Sequence, residues 1–392
     1  MPPKLHVMNL RDAFVFGGPD ATLMGWLPRI DTSRFRVSLT CFDNPGNVAR
    51  VLLDPAERAG IETFMVPWGR KRLLASVTQL SALLRRESVD VLHTHDWKAD
   101  LVGYLAARRC GIPVMTTVYV WFGKNSLPKV RAFEWLDRQL IRHFDLVTAI
   151  SEATRRDTVR LGIPSAKARA VFSGVDLDRF SKPVDVAALR SSLGIGEGDQ
   201  VVGYLDRLYP EKAHSVLVEA AKLVLARRPN VKFLFVGGGP LAGELQQQAQ
   251  SLGIGAHLIL AGVRTDVPDL LRIFDVQSHA SLAEGIPLAL YEGMAASRPV
   301  VGSDVDGIPE VVKHELTGLL VKPRDPSGLA AALLELLIDR DKAMRLGAAG
   351  RRLMEERYSL PKVVSELEQM YLEVHGRSVS VAGSSRSSME RI

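Results

Sequence analysis

The chain has 392 residues, 46% of them hydrophobic and 24% charged, a profile that excludes a disordered or fibrous chain and gives enough length for two cores. Lys and Arg outnumber Asp and Glu by 50 to 44. So mild an excess suits an anionic small molecule or an anionic membrane surface and gives no reason to expect a nucleic acid.

In chain order, KLHVMNL, FRVSLTCF, ETFMVPW, VDVLHTH, PVMTTVYV, DLVTAIS and KARAVFSGVD are short β-branched or apolar runs and read as strands. Between them lie helical patterns such as DWKADLVGYLAARRCG, apolar at i, i+3 and i+4 and closed by a glycine. This alternation implies parallel βαβ units in a doubly wound sheet. The stretch VDVAALRSSLGIGEGDQ reads as a linker, after which QVVGYLDR, VKFLFVGGG, HLILAG, VQSHAS, RPVVGSD and GLLVKP start the alternation afresh. The expected organisation is one Rossmann-like domain over 1–180, a second over 184–355, a helix over 356–376 packing back on the first, and a tail over 377–392. That tail is small and polar with no face to bury, so no structure is expected there. Two such halves place a cleft between the carboxyl ends of two sheets, where ligands bind in this architecture.

Cys41 and Cys110 stand far apart without partner spacing, and no run of eighteen apolar residues occurs. Neither a disulfide framework, a zinc site nor a membrane span is expected. The start, MPPKLHVMNLRDAF, lacks the charged-then-apolar order of a secretion signal, so the expected location is cytoplasmic. GRKRLLASVTQLSALLRRES (69–88) and KVRAFEWLDRQLIRH (129–143) combine basic with apolar or aromatic side chains. Each reads either as the outer helix of an α/β layer or as a peripheral contact with the inner face of an anionic membrane.

The chemistry concentrates in SLAEGIPLALYEGMAAS (281–297), where Glu284 and Glu292 flank a Gly–Ile–Pro turn. Pro287 suits the first turn of a helix. Glu284 and Gly285 then fall in the loop before it, and the N–H groups of Gly285, Ile286 and Leu288 make an anion site. A carboxylate beside such a site accepts hydrogen bonds from hydroxyls, as on a sugar ring or a ribose. Taken alone, Glu284 also fits a helix-start residue and Glu292 an exposed one. GYLDRLYPEKAH (203–214) places Arg207 and Lys212 on a strand-to-helix turn where both can converge on one diphosphate. An isolated R-x4-K equally fits two surface cations. FVGGGP (235–240), with Gly238 at its centre, is a glycine turn after a strand and lacks the G-x-G-x-x-G of a nicotinamide fold.

The ordered set VDVLHTHDW, DLVTAIS, FSGVDLDRF, the Arg207–Lys212 turn, FVGGGP, LAGVRTDVPDLL, SHASLAEGIPLALYEGMAASRPVVGSDVDGIPEVV and TGLLVKP resembles the family 4 retaining glycosyltransferases of the GT-B fold. The fold implied is two Rossmann-like domains facing each other across a deep cleft. The resemblance implies that Arg207 and Lys212 hold the donor diphosphate and neutralise it as it departs. Glu284 then contacts sugar hydroxyls, and the backbone of Gly285, Ile286, Pro287 and Leu288 holds sugar and phosphate. Glu292 takes the ribose hydroxyls, and Val263 or Arg264 lies near the base. Gly238 belongs to the donor side, and Gly17 and Gly18 in FVFGGPD form the loop by which the first domain approaches the phosphates. The partners implied are a uridine-based nucleotide-diphosphate sugar and a hydroxyl acceptor, lipid-linked or polysaccharide. No cofactor and no metal are expected, although SDVD (303–306) superficially resembles a D-x-D metal site.

The chain also departs from the family pattern. Tyr119 stands where a histidine is often found, and Asp206 and Ala213 replace glycines usual beside the arginine and the lysine. Asp206 is expected either to pair with Arg207 or to point away from it into the sheet. His95 and Asp96 are candidates for the acceptor side, with Tyr119. Two further readings keep the fold. One is a nucleotide-sugar epimerase, for which no matched acid–base pair shows in the first domain. The other is a sugar-nucleotide-binding protein without turnover, which Tyr119 would favour.

Overall fold

Runs that are apolar on both faces can be buried only between two layers of helices, and this chain places its apolar runs accordingly. In the computed structural model the first seven form β1 (Leu5–Arg11), β2 (Phe35–Asp43), β3 (Glu62–Pro67), β4 (Val91–Thr94), β5 (Val114–Val118), β6 (Leu146–Ala149) and β7 (Ala168–Ala170). The later six form β8 (Gln200–Leu205), β9 (Val231–Val236), β10 (Leu258–Leu260), β11 (Val276–His279), β12 (Val300–Ser303) and β13 (Leu319–Val321). The structure describes residues 3–44, 46, 48–68, 73–121, 128–284 and 288–389, with the side chains of 128–130 and 378–389 outside the description.

The strands make two parallel sheets, ordered β3-β2-β1-β4-β5-β6-β7 and β10-β9-β8-β11-β12-β13. Each reverses direction once along its order, between β1 and β4 in the first and between β8 and β11 in the second. Crevices at such reversals, outside the carboxyl ends of the strands, are where open α/β sheets bind ligands. In the second sheet the reversal brings the residues after Leu205 beside those after His279, since Val276 and Gln277 pair with Val202 and Gly203.

The chain divides into two compact units, residues 1–173 with 360–392, and residues 174–359. The first boundary lies after Ser173, so 174–180 group with the second sheet rather than the first. The core of the second unit packs Val202, Tyr204, Phe233 and Phe235 from the sheet against Leu217, Leu329 and Leu333 from its helices.

The first unit is completed by the helix Leu360–Met389. The buried Tyr371 hydroxyl lies 3.0 Å from His93 Nδ1, and Glu368 accepts the Asp31 N–H at 2.8 Å. This helix runs on through the segment expected to be without structure, as far as Met389. Extending an established helix adds one hydrogen bond per residue and needs no new nucleus.

Of the two basic stretches, the helix Leu73–Arg86 buries Val77, Leu80, Leu83 and Leu84. The helix Pro128–Ile141 leaves Trp135 and Leu136 exposed. No helix among the described residues is long and apolar enough to cross a membrane.

Candidate functional site

β8 is buried along its whole length and ends at Leu205. Beyond it the chain passes Asp206 and Arg207, enters a short 3-10 turn at Pro210–Lys212, and reaches the helix His214–Leu225. Ala213 makes the change of direction in the left-handed region, at φ 49°. Tyr204 anchors the turn from below: its hydroxyl donates to the Lys212 carbonyl at 2.6 Å and lies 3.4 Å from Ser281 Oγ. From the neighbouring strand end, the Leu282 N–H donates to the Glu211 carbonyl at 2.9 Å.

These anchors bury the Lys212 side chain between two carboxylates. Lys212 Nζ lies 2.8 Å from Asp206 Oδ2 and also donates to Glu284 Oε2. Burial opposes the charge on Lys212, but Glu284 and Asp206 outweigh it and hold the ammonium above the ordinary lysine range. Burial lifts the Glu284 carboxyl above its ordinary range, against the pull of Lys212. The Ser281 hydroxyl reaches the same Glu284 oxygen at 3.3 Å, and the Glu284 N–H donates to Asp306 Oδ2 at 2.7 Å. The second aspartate of the D-x-D look-alike therefore fixes the backbone of Glu284.

Arg207 takes a different course from Lys212. Its side chain is 61% exposed, lies 3.6 Å from Glu211 and covers the ring of Tyr209, 4.8 Å from its centroid. Asp206 does not pair with the Arg207 guanidinium. Its Oδ1 accepts the Arg207 backbone N–H at 2.7 Å while Oδ2 holds Lys212. The strand ends before Asp206, so strict alternation no longer governs where that side chain points.

The glycine turn lies against this loop. A Cβ on Gly237 would sit 1.9 Å from the Asp206 carbonyl oxygen, and one on Gly239 would sit 2.4 Å from that of Leu208. Gly237 also has φ +148° and donates to the Gly262 carbonyl at 2.8 Å. Gly238 faces Val263, whose side chain would lie 2.9 Å from a Cβ there. Val263 is itself 80% exposed, and Arg264 is turned onto Asp266, Nε to Oδ1 at 2.8 Å.

Leu288 opens the described helix Leu288–Ala295, while Gly285, Ile286 and Pro287 lie outside the described residues. Glu292 is in that helix and accepts from Arg179 at 3.0 Å. Burial raises its carboxyl, against the Arg179 charge. The sequence carries no local sign of a role for Arg179, although FSGVDLDRF contains it, nor for Tyr204, Ser281, His214 or His279. The rings of His214 and His279 lie 4.2 and 5.2 Å from that of Tyr204, and burial pushes both pKa values down to about 4, leaving them neutral near pH 7.

In the first unit the candidate residues lie beyond β1, β4 and β5. Gly17 caps the helix Gly18–Trp26 and donates to Asp20 at 2.9 Å, and Asp20 in turn holds Arg11 at 3.0 Å. Asp96 caps the helix Trp97–Cys110, accepting from the Lys98 and Ala99 N–H groups, and its second oxygen accepts from Asp12 N–H at 2.7 Å. His95 is buried between Asn9, 3.0 Å from Nε2, and the Tyr119 hydroxyl, 3.2 Å from Nδ1. His95, Asp96 and Tyr119 are thus all engaged in internal hydrogen bonds. Among the described residues no group of three or more His, Cys, Asp or Glu could hold a metal ion.

Two doubly wound parallel sheets, of seven and six strands, are the architecture of the GT-B class. Anabaena HepE, solved in complex with UDP, matches with a TM-score of 0.85 at 20% identity over 94% of this chain and 100% of its own. Sucrose-phosphate synthase from Thermosynechococcus elongatus matches at 0.74 and 19% over 95% and 100%. Residues 19–179 match the family model Glycosyltransferase Family 4, and residues 185–353 match Glycosyl transferases group 1. The chain belongs to glycosyltransferase family 4. Among curated relatives, the UDP-Gal:alpha-D-GlcNAc-diphosphoundecaprenol alpha-1,3-galactosyltransferase of Escherichia coli is 26% identical over 95% of this chain and 97% of its own length. The N-acetyl-alpha-D-glucosaminyl L-malate synthase of Bacillus anthracis is 29% identical over 77% and 79%.

Proposed function

We propose that this protein moves a sugar from a uridine-diphosphate sugar to a hydroxyl on a lipid-linked or polysaccharide acceptor, with retention at the anomeric carbon and without a metal. The observation that carries the reading is Lys212, a buried ammonium held between Asp206 and Glu284 at the reversal point of the second sheet. The uridine donor and the lipid-linked acceptor are supported by the substrates named for the Escherichia coli relative.

A nucleoside diphosphate leaves with the electron pair of the bond to the anomeric carbon. Lys212 and Arg207 balance the charge that builds on the departing oxygen. The acceptor hydroxyl bonds to that carbon on the face the phosphate leaves, and its proton passes to the departing phosphate oxygen. Glu284 accepts hydrogen bonds from the sugar hydroxyls and Glu292 from the ribose, exchanging its present contact with Arg179. The backbone of 285–288, the Gly238 turn and the exposed Val263–Arg264 loop complete the donor side. Gly17 and Gly18 approach the donor phosphates from the first domain, and His95, Asp96 and Tyr119 serve the acceptor side.

UDP release from UDP-galactose, UDP-glucose and UDP-N-acetylglucosamine, with a polyprenyl-diphosphate sugar as acceptor and EDTA present, tests the reading. The wild type is expected to turn over at least one donor. Lys212→Gln and Glu284→Gln, shown folded by their melting curves, are expected to lose about 100-fold or more in kcat/KM. Wild-type rates from both variants would refute the assignment. Deuterium uptake by the donor in heavy water without acceptor would mark an epimerase instead.

A further inference from the structure

We infer that Asp206 is an internal competitor for the donor diphosphate, its carboxylate occupying the Lys212 ammonium on which the phosphates would dock. The inference rests on the reading of Lys212 as the diphosphate grip and adds a residue that weakens donor binding.

Lys212 and Asp206 meet at 2.8 Å with side chains only 9% and 12% exposed, so water does little to screen the pair. Glu284 is a second carboxylate on the same ammonium. One positive charge therefore faces two negative ones before any ligand arrives. The other cation of the turn is matched as well, since Arg207 lies 3.6 Å from Glu211. The buried imidazoles of His214 and His279, the other titratable rings against Tyr204, are neutral near pH 7 and add no positive charge. The segment 206–212 thus carries its own counter-ions, and a diphosphate must share or displace them.

Asp206 is also held in place. Its second oxygen accepts the Arg207 N–H at 2.7 Å, and the glycine turn packs on its carbonyl. Its carboxylate is pre-positioned on the lysine without help from Glu284. An ammonium has three N–H donors and no more, so each one engaged by Asp206 is withheld from phosphate. Removing the charge while keeping an acceptor for the Arg207 N–H frees that donor and removes a repulsion.

The test is calorimetry on the full chain, wild type and Asp206→Asn, with UDP as probe and uridine measured by displacement of UDP. Asp206→Asn is expected to bind UDP at least tenfold more tightly, about 1.4 kcal/mol, while the affinity for uridine, which has no phosphate, changes less than twofold. Asp206→Gly carries the same expectation if the asparagine variant fails to fold. Equal or weaker UDP binding in a folded variant would overturn the inference, and so would a parallel gain for uridine, which would signal a general rearrangement. Failure of folded wild type and variants alike to bind UDP would instead overturn the diphosphate grip itself, and the inference with it.

Discussion

Lys212 and Asp137 show how one force, burial, gives opposite results according to the partner at hand. At Lys212 two carboxylates outweigh the loss of water and the charge is kept. At Asp137, in the helix Pro128–Ile141, the neighbour is another buried carboxyl, Asp100, itself held by Thr94. Burial pushes the Asp137 carboxyl up to about 7, against a hydrogen bond with Asp100 that pulls it back. An acid whose folded pKa is raised loses stability as pH climbs from its unfolded value, near 3.8, through its folded value. Asp137→Asn is therefore expected to melt above the wild type at pH 8, with the gap closing as pH falls to 5, in melts taken across that range. A gap that stayed constant or widened toward pH 5 would show that the carboxyl is not the cause. Lys212, Glu284 and Glu292 stand out in the sequence as candidates because they lie beside Pro and Gly turns, although the roles given them rest on the family resemblance. The contact of Glu284 with Lys212 spans 72 positions and that of Glu292 with Arg179 spans 113. No local pattern encodes partners that far apart, so Arg179 carries no assignment, whereas Asp206 is expected on Arg207 or facing away only if strand alternation is carried past the end of β8 at Leu205.

Elements were easier to read than contacts. Each of the thirteen runs became a strand because β-branched apolar segments bounded by turn residues have one stable use in a sheet covered on both faces. The glycine turn after β9 was visible, but its purpose was not. It exists so that one backbone can lie on another, with no room for a Cβ at Gly237 or Gly239. Gly237→Ala is expected to cost about 2–3 kcal/mol, from the steric contact together with a backbone conformation that side chains disfavour. It should also displace the Asp206–Leu208 loop and with it UDP binding. Denaturant unfolding and UDP calorimetry of the variant check both effects. A stability and affinity equal to the wild type would show that the turn does not shape the loop. The polar tail is the element whose composition misled, since a helix begun on the buried faces of Val363, Leu367, Tyr371 and Val374 continues beyond them to Met389.

For the whole molecule, alternation of strands and helices made the two sheets legible, whereas the unit boundary fell inside a continuous motif, FSGVDLDRF, that reads as one piece. The first unit is built from both ends of the chain, so its stability depends on the last helix. A chain ending at Ser359 is expected to lose the cooperative unfolding of the first unit while the second still melts, as followed by calorimetry. Two intact transitions would show that Leu360–Met389 is dispensable. The central claim is that a nucleoside diphosphate binds through the ammonium of Lys212. It is tested most directly by the rise in melting temperature that UDP produces in the wild type and in Lys212→Gln. A ligand at about 100 times its Kd adds about 2.7 kcal/mol to the folded state, so a rise of several degrees is expected in the wild type and little or none in the variant at the same UDP concentration. Equal rises in the two proteins, or none in the wild type, would contradict the account.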